Sequence, residues 1–532
     1  MSVFLAKDLL KLLTKYHRVQ GSSGLLKAIK EIKEELDLLG MSTKIFEIPS
    51  NAIKGFVETP VSWDIEEGSM EIKVSNRTFA KLNMSEHPTL IAAHSPPGEG
   101  HGKLVICDNN DISTCEGEVV LTRLPAYIAY KNIDANMILL YSDKRFPTAV
   151  PYTGLFIHRN EITNKVVINI PYTMALKLKL AVREGKNISV EWVVKSRYID
   201  RSLHGLLTCD GDEPGILYIS HICHPKPGAH DNASGSVANI LTLLGIARSG
   251  HRFSHCHAWV PEYAGTVFIG QHLPWIPIGV VNLDMVGSKQ WITGSIFNIV
   301  NAPLYMDSHM TMYTYLASKI VLDDVYSFDG FKLPGHRYSL IPYTAGSDHD
   351  VTLAWGWDSV MLNEWPSKYY HTDMDEITSI SPKSLIKSAL IAILAGFMRG
   401  HRIKEDIARD IFNKYVIDWY RIEALKNNLE IGKLFKLVHA SKINTEKIIK
   451  LESPIMSKSL YKVIGHHVYL KLKNIRGSFT FLSLYAPLAY LNGIGEKDIF
   501  EMFQLENLIK WRDEEKTLIE YAWSVIKDKY MK

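Results

Sequence analysis

Apolar positions in the first 40 residues recur at helical spacing. In MSVFLAKDLLKLLTKYHRVQGSSG they are interrupted by Lys7, Asp8, Lys11 and Lys15, which predicts an amphipathic helix and excludes the unbroken apolar core of a signal peptide. Leu25, Leu26, Ile29, Ile32, Leu36 and Leu39 carry a second helix, and Gly40 stops it. From 42 to 80 the period shortens to two in TKIFEI and SMEIKVSN, so strands are expected. Residues 81–200 are rich in strands (TLIAAHS, KLVICD, GEVVLTR, MILLYSD, KVVINIPY, ISVEWVV), with helical patches at LPAYIAYKNIDA and MALKLKLAVREG. Between 201 and 400 near-continuous apolar strands alternate with helices: GILYISHI with ASGSVANILTLLGIAR, CHAWVP with GTVFIGQHL, then GVVNLDMV, WDSVMLNEW and the closing helix SPKSLIKSALIAILAGFMR. That alternation predicts an α/β fold, a mostly parallel mixed sheet flanked by helices, with ligand sites at the C-terminal ends of strands. Residues 401–532 read as a helical C-terminal domain, for oligomerisation or for covering the site. A winged-helix, nucleic-acid-binding reading of that domain rests only on the basic stretch LYKVIGHHVYLKLKNIRG.

Composition changes this picture little. Hydrophobic residues make up 46% and charged residues 22% of the 532, as in ordinary globular chains, and that length calls for several domains. Lys+Arg 60 against Asp+Glu 57 leaves +3, too weak a balance to call for a nucleic-acid or anionic-membrane partner. No apolar run reaches the roughly 20 residues that span a bilayer, and a cytoplasmic protein is expected. A homo-oligomer is compatible with all of this. Five cysteines (Cys107, Cys115, Cys209, Cys223, Cys256) without a CxxC pair argue against a disulfide framework and a zinc ribbon, with a Cys107–Cys115 link as the exception considered.

The chemistry concentrates in four segments. In ISHICHPKPGAHDNASG a strand ends on His221, and Asp231-Asn232 opens a helix whose Ala233, Ser234 and Gly235 allow close packing; an imidazole and a carboxylate so placed are suitable zinc ligands. The plain alternative is an N-cap with surface histidines. In HAWVPEYAG an apolar strand delivers Glu262, a carboxylate able to take a proton from metal-activated water or merely to begin a helix. In VVNLDMVG, Asp284 closes a buried run, where a carboxylate needs a cation or a strong donor beside it. AGSDHD and SKYYHTDMDEI add Asp348, His349 and His371, with Asp373 and Asp375 expected to orient the His371 ring. Asp348 and His349 either serve the site or cap a helix.

Taken in order, His, Asp-Asn, Glu at a strand end, Asp in N-L-D-M-V-G, S-D-H and Y-H-T resemble the zinc aminopeptidase family that includes bacterial leucyl aminopeptidases, glutamate carboxypeptidases and glutaminyl cyclases. The match spans roughly 201–390, and within it the S-H-x-C-H-P and P-E-x-x-G motifs resemble those of poorly characterised aminopeptidase-like proteins. The ordering of strands and helices in 81–200 resembles a protease-associated domain inserted between 1–80, the N-terminal part of the catalytic domain, and 201–400, the remainder of it. The resemblance implies a zinc metallopeptidase cleaving near a free peptide N-terminus. It makes His221, Asp231, Asp284 and His371 metal ligands, with Asp231 shared between two metals and Glu262 as general base.

Two departures qualify it. Where many relatives have Glu-Glu, this chain has Glu262-Tyr263, so a carboxylate ligand of the second metal is missing. Where relatives often have His-x-Asp, it has His221-Ile222-Cys223. One firm zinc site and an uncertain second are therefore expected, the second drawing on Tyr263, His224, His349 or Cys223. His224 is also an alternative to His221, which is preferred as the residue directly at the strand end. Rival functions are an amide hydrolase of another kind (a deacylase), a cyclotransferase, a non-catalytic binding protein, and a hydrolase with Cys223 as nucleophile.

Overall fold

The computed structural model describes residues 2–108, 112, 115–250, 252–443 and 448–531. The two N-terminal helices form at Val3–Thr14 and Ser23–Leu38, and the Ser2 and Ser22 side chains accept hydrogen bonds from Phe4 and Leu25 backbone N–H groups at their starts. Their apolar stripes (Leu9, Leu10, Leu13; Leu25, Ile29, Ile32, Leu36) enter the main core.

An eight-stranded mixed sheet organises the molecule, in the spatial order Lys44–Ile48, Leu203–Asp210, His255–Val260, Ile216–His221, Gly279–Asp284, Ser359–Trp365, Ile296–Val300, Tyr338–Ile341. The four middle strands run parallel, and every residue of Ile216–His221, His255–Val260 and Gly279–Asp284 is buried. Burial on both faces explains why these strands read as unbroken apolar runs. The long helices Gly235–Ser249, His309–Leu322 and Pro382–Gly400 cover one face. Parallel strands place all their C-terminal ends on one edge, and His221, Asp284 and the turn after Val260 meet there.

A second, seven-stranded sheet has the order Arg77–Asn83, Ser62–Val74, Ile188–Ile199, Gly98–Ile106, Glu116–Thr122, Asp134–Leu140, Val166–Asn169, with its own apolar core. It begins upstream of residue 81, because Ser62–Val74 pairs along its full length with Ile188–Ile199. After Gly400 the described chain is helical, from Glu405–Asn427 to Asp513–Tyr530. Its helix Ser457–Leu472 reaches back to the rest of the molecule: Ser459 Oγ donates to the Phe56 carbonyl, and Asn132 Nδ2 donates to the Tyr461 hydroxyl.

The cysteine expectation is corrected. Cys209 and Cys256 are disulfide-bonded, as are Cys107 and Cys115, and Cys223 is the free thiol. Cys209 and Cys256 sit opposite each other in neighbouring antiparallel strands, a proximity that their separation of 47 residues conceals. Disulfides belong to oxidising compartments and to some hyperthermophile interiors, so the cysteines lend no support to a cytoplasmic location. Among the described residues no helix is long and apolar enough to cross a membrane.

Candidate metal centre

Six residues from four chain segments converge at this edge. His221 is the last residue of its strand, and its Nδ1 lies 3.1 Å from the Cys223 carbonyl. His224 Nδ1 lies 2.8 Å from the Pro225 carbonyl. In both rings Nδ1 is thus placed to donate to an oxygen, leaving Nε2 as the bare nitrogen facing inward. Asp231 stands between them: its Oδ1 is 3.3 Å from His221 Nε2, and its Oδ2 is 3.4 Å from His224 Nε2 and 3.0 Å from His371 Nε2. His221 Nε2 is also 3.3 Å from Asp284 Oδ1. The ligand atoms fall into two groups, His221–Glu262–Asp284 and His224–Asp231–His371, with all atoms of each group within 4.8 Å of one another.

These separations fit a shared cation better than direct pairing. Two nitrogen or oxygen ligands at about 2.0–2.2 Å from a tetrahedral zinc stand about 3.3 Å apart, whereas a charge-assisted hydrogen bond closes to about 2.7–2.9 Å. The buried atoms His224 Nε2 and Asp284 Oδ1, one in each group, have no hydrogen-bond partner, a costly condition that a cation in each group would relieve. Electrostatics agree. Burial works to lower the His221 pKa, but the Glu262, Asp284 and Asp231 carboxylates outweigh it and hold the ring well above its ordinary value, the signature of a site that draws positive charge. Burial pushes His371 down to about 4, so its nitrogen is neutral and free to ligate near neutrality.

No family model matches the sequence, and no curated protein matches it. Solved structures do match the fold. A putative peptidase from Clostridium acetobutylicum aligns over 75% of this chain and 80% of its own at 16% identity and a TM-score of 0.53. A peptidase M28 precursor from Shewanella amazonensis aligns over 74% and 93% at 13% identity, also at 0.53. BSAP, a zinc aminopeptidase from Bacillus subtilis, aligns over 74% and 94% at 17% identity and 0.52. The chain has the zinc aminopeptidase fold. At these identities the likeness concerns the fold alone.

Within that fold the remaining candidates divide. Tyr263 turns away from the cluster, its hydroxyl donating to Asp350 at 2.7 Å. His349 Nε2 lies 3.1 Å from the Thr344 carbonyl. Asp348 accepts from the Tyr263 backbone N–H at 2.7 Å and from the Thr266 hydroxyl, so it braces the turn that presents Glu262. Cys223 accepts the Glu262 backbone N–H at 3.2 Å, and its sulfur is 4.0 Å from a His221 nitrogen placed to donate to a carbonyl, which is no arrangement for a nucleophile and its base.

The expectation for Asp373 and Asp375 is corrected. Asp373 pairs with His87 at 2.7 Å and accepts the Val150 N–H at 3.0 Å. Asp375 accepts the backbone N–H groups of His230 and Asp231, both at 2.9 Å, and so fixes the loop carrying the shared carboxylate. The His371 ring is instead held by neighbouring rings, stacked on Tyr370 and packed against Tyr152, while the Tyr152 N–H donates to the His371 carbonyl at 2.7 Å.

Three supporting residues escape sequence reasoning. Asn232 accepts from Gly235 and Met285 and donates to the carbonyls of His221 and Leu283, tying the Asp231 loop to two strand ends. Its position beside Asp231 is the one local signal, and by itself that signal indicates no more than a helix start. Gln20 donates to the Glu262 carbonyl at 3.0 Å. Arg18 is fully buried and spreads its guanidinium over the carbonyls of Leu13, Ile222 and Gly228. Neither Gln20 nor Arg18 has a local signal for this role, since Glu262, Ile222 and Gly228 lie more than 200 residues away.

Proposed function

We propose that this chain is a zinc-dependent aminopeptidase with a two-metal centre, in which His221 and Asp284 would hold one zinc, His224 and His371 the other, and Asp231 would serve both. The observation carrying the proposal is the Asp231 carboxylate, with one oxygen facing His221 and the other facing His224 and His371. His224 fills the place that the absence of a second glutamate leaves open. Zinc held there would acidify water and polarise an amide carbonyl. Glu262 takes the water's proton on its carboxylate and returns it to the leaving amine. Cys223, Gln20 and Asp348 hold the Glu262 turn so that the carboxylate stays at the strand edge. A preference for an unblocked peptide N-terminus is part of the proposal, and the zinc aminopeptidase from Bacillus subtilis that shares the fold supports it.

Elemental analysis of the purified protein, with assays on aminoacyl and N-acylated anilides, tests this reading. We expect two zinc per chain and chelator-sensitive cleavage of unblocked substrates, reduced about 10²–10⁴-fold in Glu262→Gln. Cleavage of acylated substrates alone would make the protein a deacylase, and failure to bind zinc would make it a binding protein on this fold.

A further inference from the structure

The helix Glu405–Asn427 buries one face, Ala408, Phe412, Val416, Tyr420 and Ala424, against the rest of the chain. A second apolar row lies on its outer side, where surface helices ordinarily carry polar residues. Ile407 is 59% exposed, Ile411 50%, Ile422 54% and Leu425 83%. Spacings of four, eleven and three residues keep these side chains on one stripe, which is about 27 Å long. The stripe reads the same in both directions. About the level of Val416, Ile407 mirrors Leu425 and Ile411 mirrors Ile422, whereas each charge mirrors its opposite: Asp406 and Lys426, Lys414 and Asp418.

A second copy of this helix laid antiparallel would meet apolar with apolar and acid with base. A parallel copy would set Lys414 on Lys414 and Asp418 on Asp418. These charges now make only exposed pairs along their own helix: Lys414 with Asp410 at 2.7 Å, Asp418 with Arg421 at 3.4 Å and Lys426 with Glu423 at 2.5 Å. Such pairs are worth little and leave the groups available to a partner. Helix His309–Leu322 runs alongside in the same direction, with His309 Nε2 3.0 Å from Glu405 Oε1 and Tyr315 stacked on Tyr415 at 4.1 Å. It leads into a hairpin, Val325–Tyr326 with Lys332–Leu333, which therefore stands beside the second half of the stripe. So short a ribbon is not stable by itself, yet Tyr326 is 64% exposed, Phe331 71% and Phe328 completely. Their exposed parts offer about 350–600 Å² per copy. With the stripe added, each copy presents apolar surface on the scale of the about 800 Å² per partner that stable interfaces bury.

We propose that the chain forms a two-fold dimer in which helix Glu405–Asn427 crosses its own copy antiparallel, and the hairpin of each chain flanks the first half of the partner's helix. A two-fold axis at the level of Val416 makes the contact self-complementary, as a closed dimer requires. Lys414 and Asp418 fix its direction and register, the role that polar residues on an apolar helix seam commonly have.

Sedimentation velocity of the full chain over about 0.1–50 μM brackets a dissociation constant of about 1 μM, and the wild type is expected to pass from one chain to two per particle in that range. Ile411→Glu should weaken the dimer about 100-fold or more, with unchanged far-ultraviolet circular dichroism because Ile411 is already half in water. Lys414→Glu and Asp418→Lys should each weaken self-association about 10- to 100-fold. An equal mixture of these two variants should recover it, because each new charge then faces its opposite on the partner. A monomer at every concentration would overturn the proposal, whether or not the stripe then binds vesicles of phosphatidylcholine and phosphatidylserine, the other apolar partner open to an exposed helix face. A dimer indifferent to Ile411→Glu would lie elsewhere on the molecule and would overturn it too. A mixture that associates no more tightly than either charge variant alone would refute the antiparallel register.

Discussion

Replacing Arg18 with Met removes a buried charge that holds the metal-binding loop. Arg18 Nε donates to the Ile222 carbonyl at 2.9 Å, one Nη to Gly228 at 3.0 Å, and the other to Leu13. Its backbone also exchanges two hydrogen bonds with His224, each 2.9 Å. Burial lowers the guanidinium pKa to about 10, so it remains charged near neutrality. Hydrogen bonds to a charged donor contribute about 1.5–3 kcal/mol each. Against three of them stands the desolvation of the guanidinium, several kcal/mol. Arg18→Met removes the charge itself and leaves three buried carbonyls without their donor, so after the guanidinium's desolvation is recovered the net loss is about 3–5 kcal/mol. At about 2–4 °C per kcal/mol for a unit of 150–250 residues, the main transition should fall by about 6–20 °C. Because the loop from Ile222 to Gly228 carries His224 and follows His221, zinc affinity should fall about 10- to 100-fold, as for other residues that orient ligands. Differential scanning calorimetry and a competitive zinc titration measure both effects. Arg18→Lys, with charge but no fork, should be intermediate. A variant melting within about 2 °C of wild type would refute the stability argument, and one that melts early but binds zinc normally would refute the coupling to the site.

Other consequences are as direct. His224→Ala should reduce bound zinc from two to about one per chain by elemental analysis, and retention of both metals would remove His224 from the centre. Stripping zinc from protein loaded at 100 times its Kd should cost about 2.7 kcal/mol of stability, read as a chelator-dependent fall in melting temperature. Gly235→Ala should cost about 2–3 kcal/mol in denaturant unfolding, because the added Cβ would lie 2.2 Å from the Leu283 carbonyl oxygen of the neighbouring strand. Burial pushes the Glu506 carboxyl up to about 8, despite hydrogen bonds from the Tyr485 hydroxyl and the Leu304 N–H. Its folded pKa exceeds its ordinary value of 4.5, so its contribution is complete below pH 4.5 and is lost as pH rises through about 8. The wild-type minus Glu506→Gln difference in unfolding free energy should change by a few kcal/mol across that window, and a flat difference would contradict the burial argument.

The sequence alone determined the α/β class, the strand ends carrying His221, Glu262 and Asp284, and the turn carrying Asp231. It could do so because strands buried on both faces are apolar throughout, and a charged residue closing such a run stands out. The small residues after Asp231 were legible for the same reason: Gly235 packs against Leu283 and Asn232 with no room for a side chain. Tertiary structure alone decided which polar groups face one another. His221 and His224 looked like rivals for one position and stand on opposite oxygens of the same carboxylate. Asp373 and Asp375 looked like supports for His371 and are spent on His87 and on backbone N–H groups. Cys209 meets Cys256 only through strand register, and Arg18 meets its carbonyls only through the docking of the N-terminal helices. Periodicity and burial are properties of neighbouring residues and are written locally. Hydrogen-bond partners and ligand geometry depend on directions in space, and those exist only once distant segments have packed.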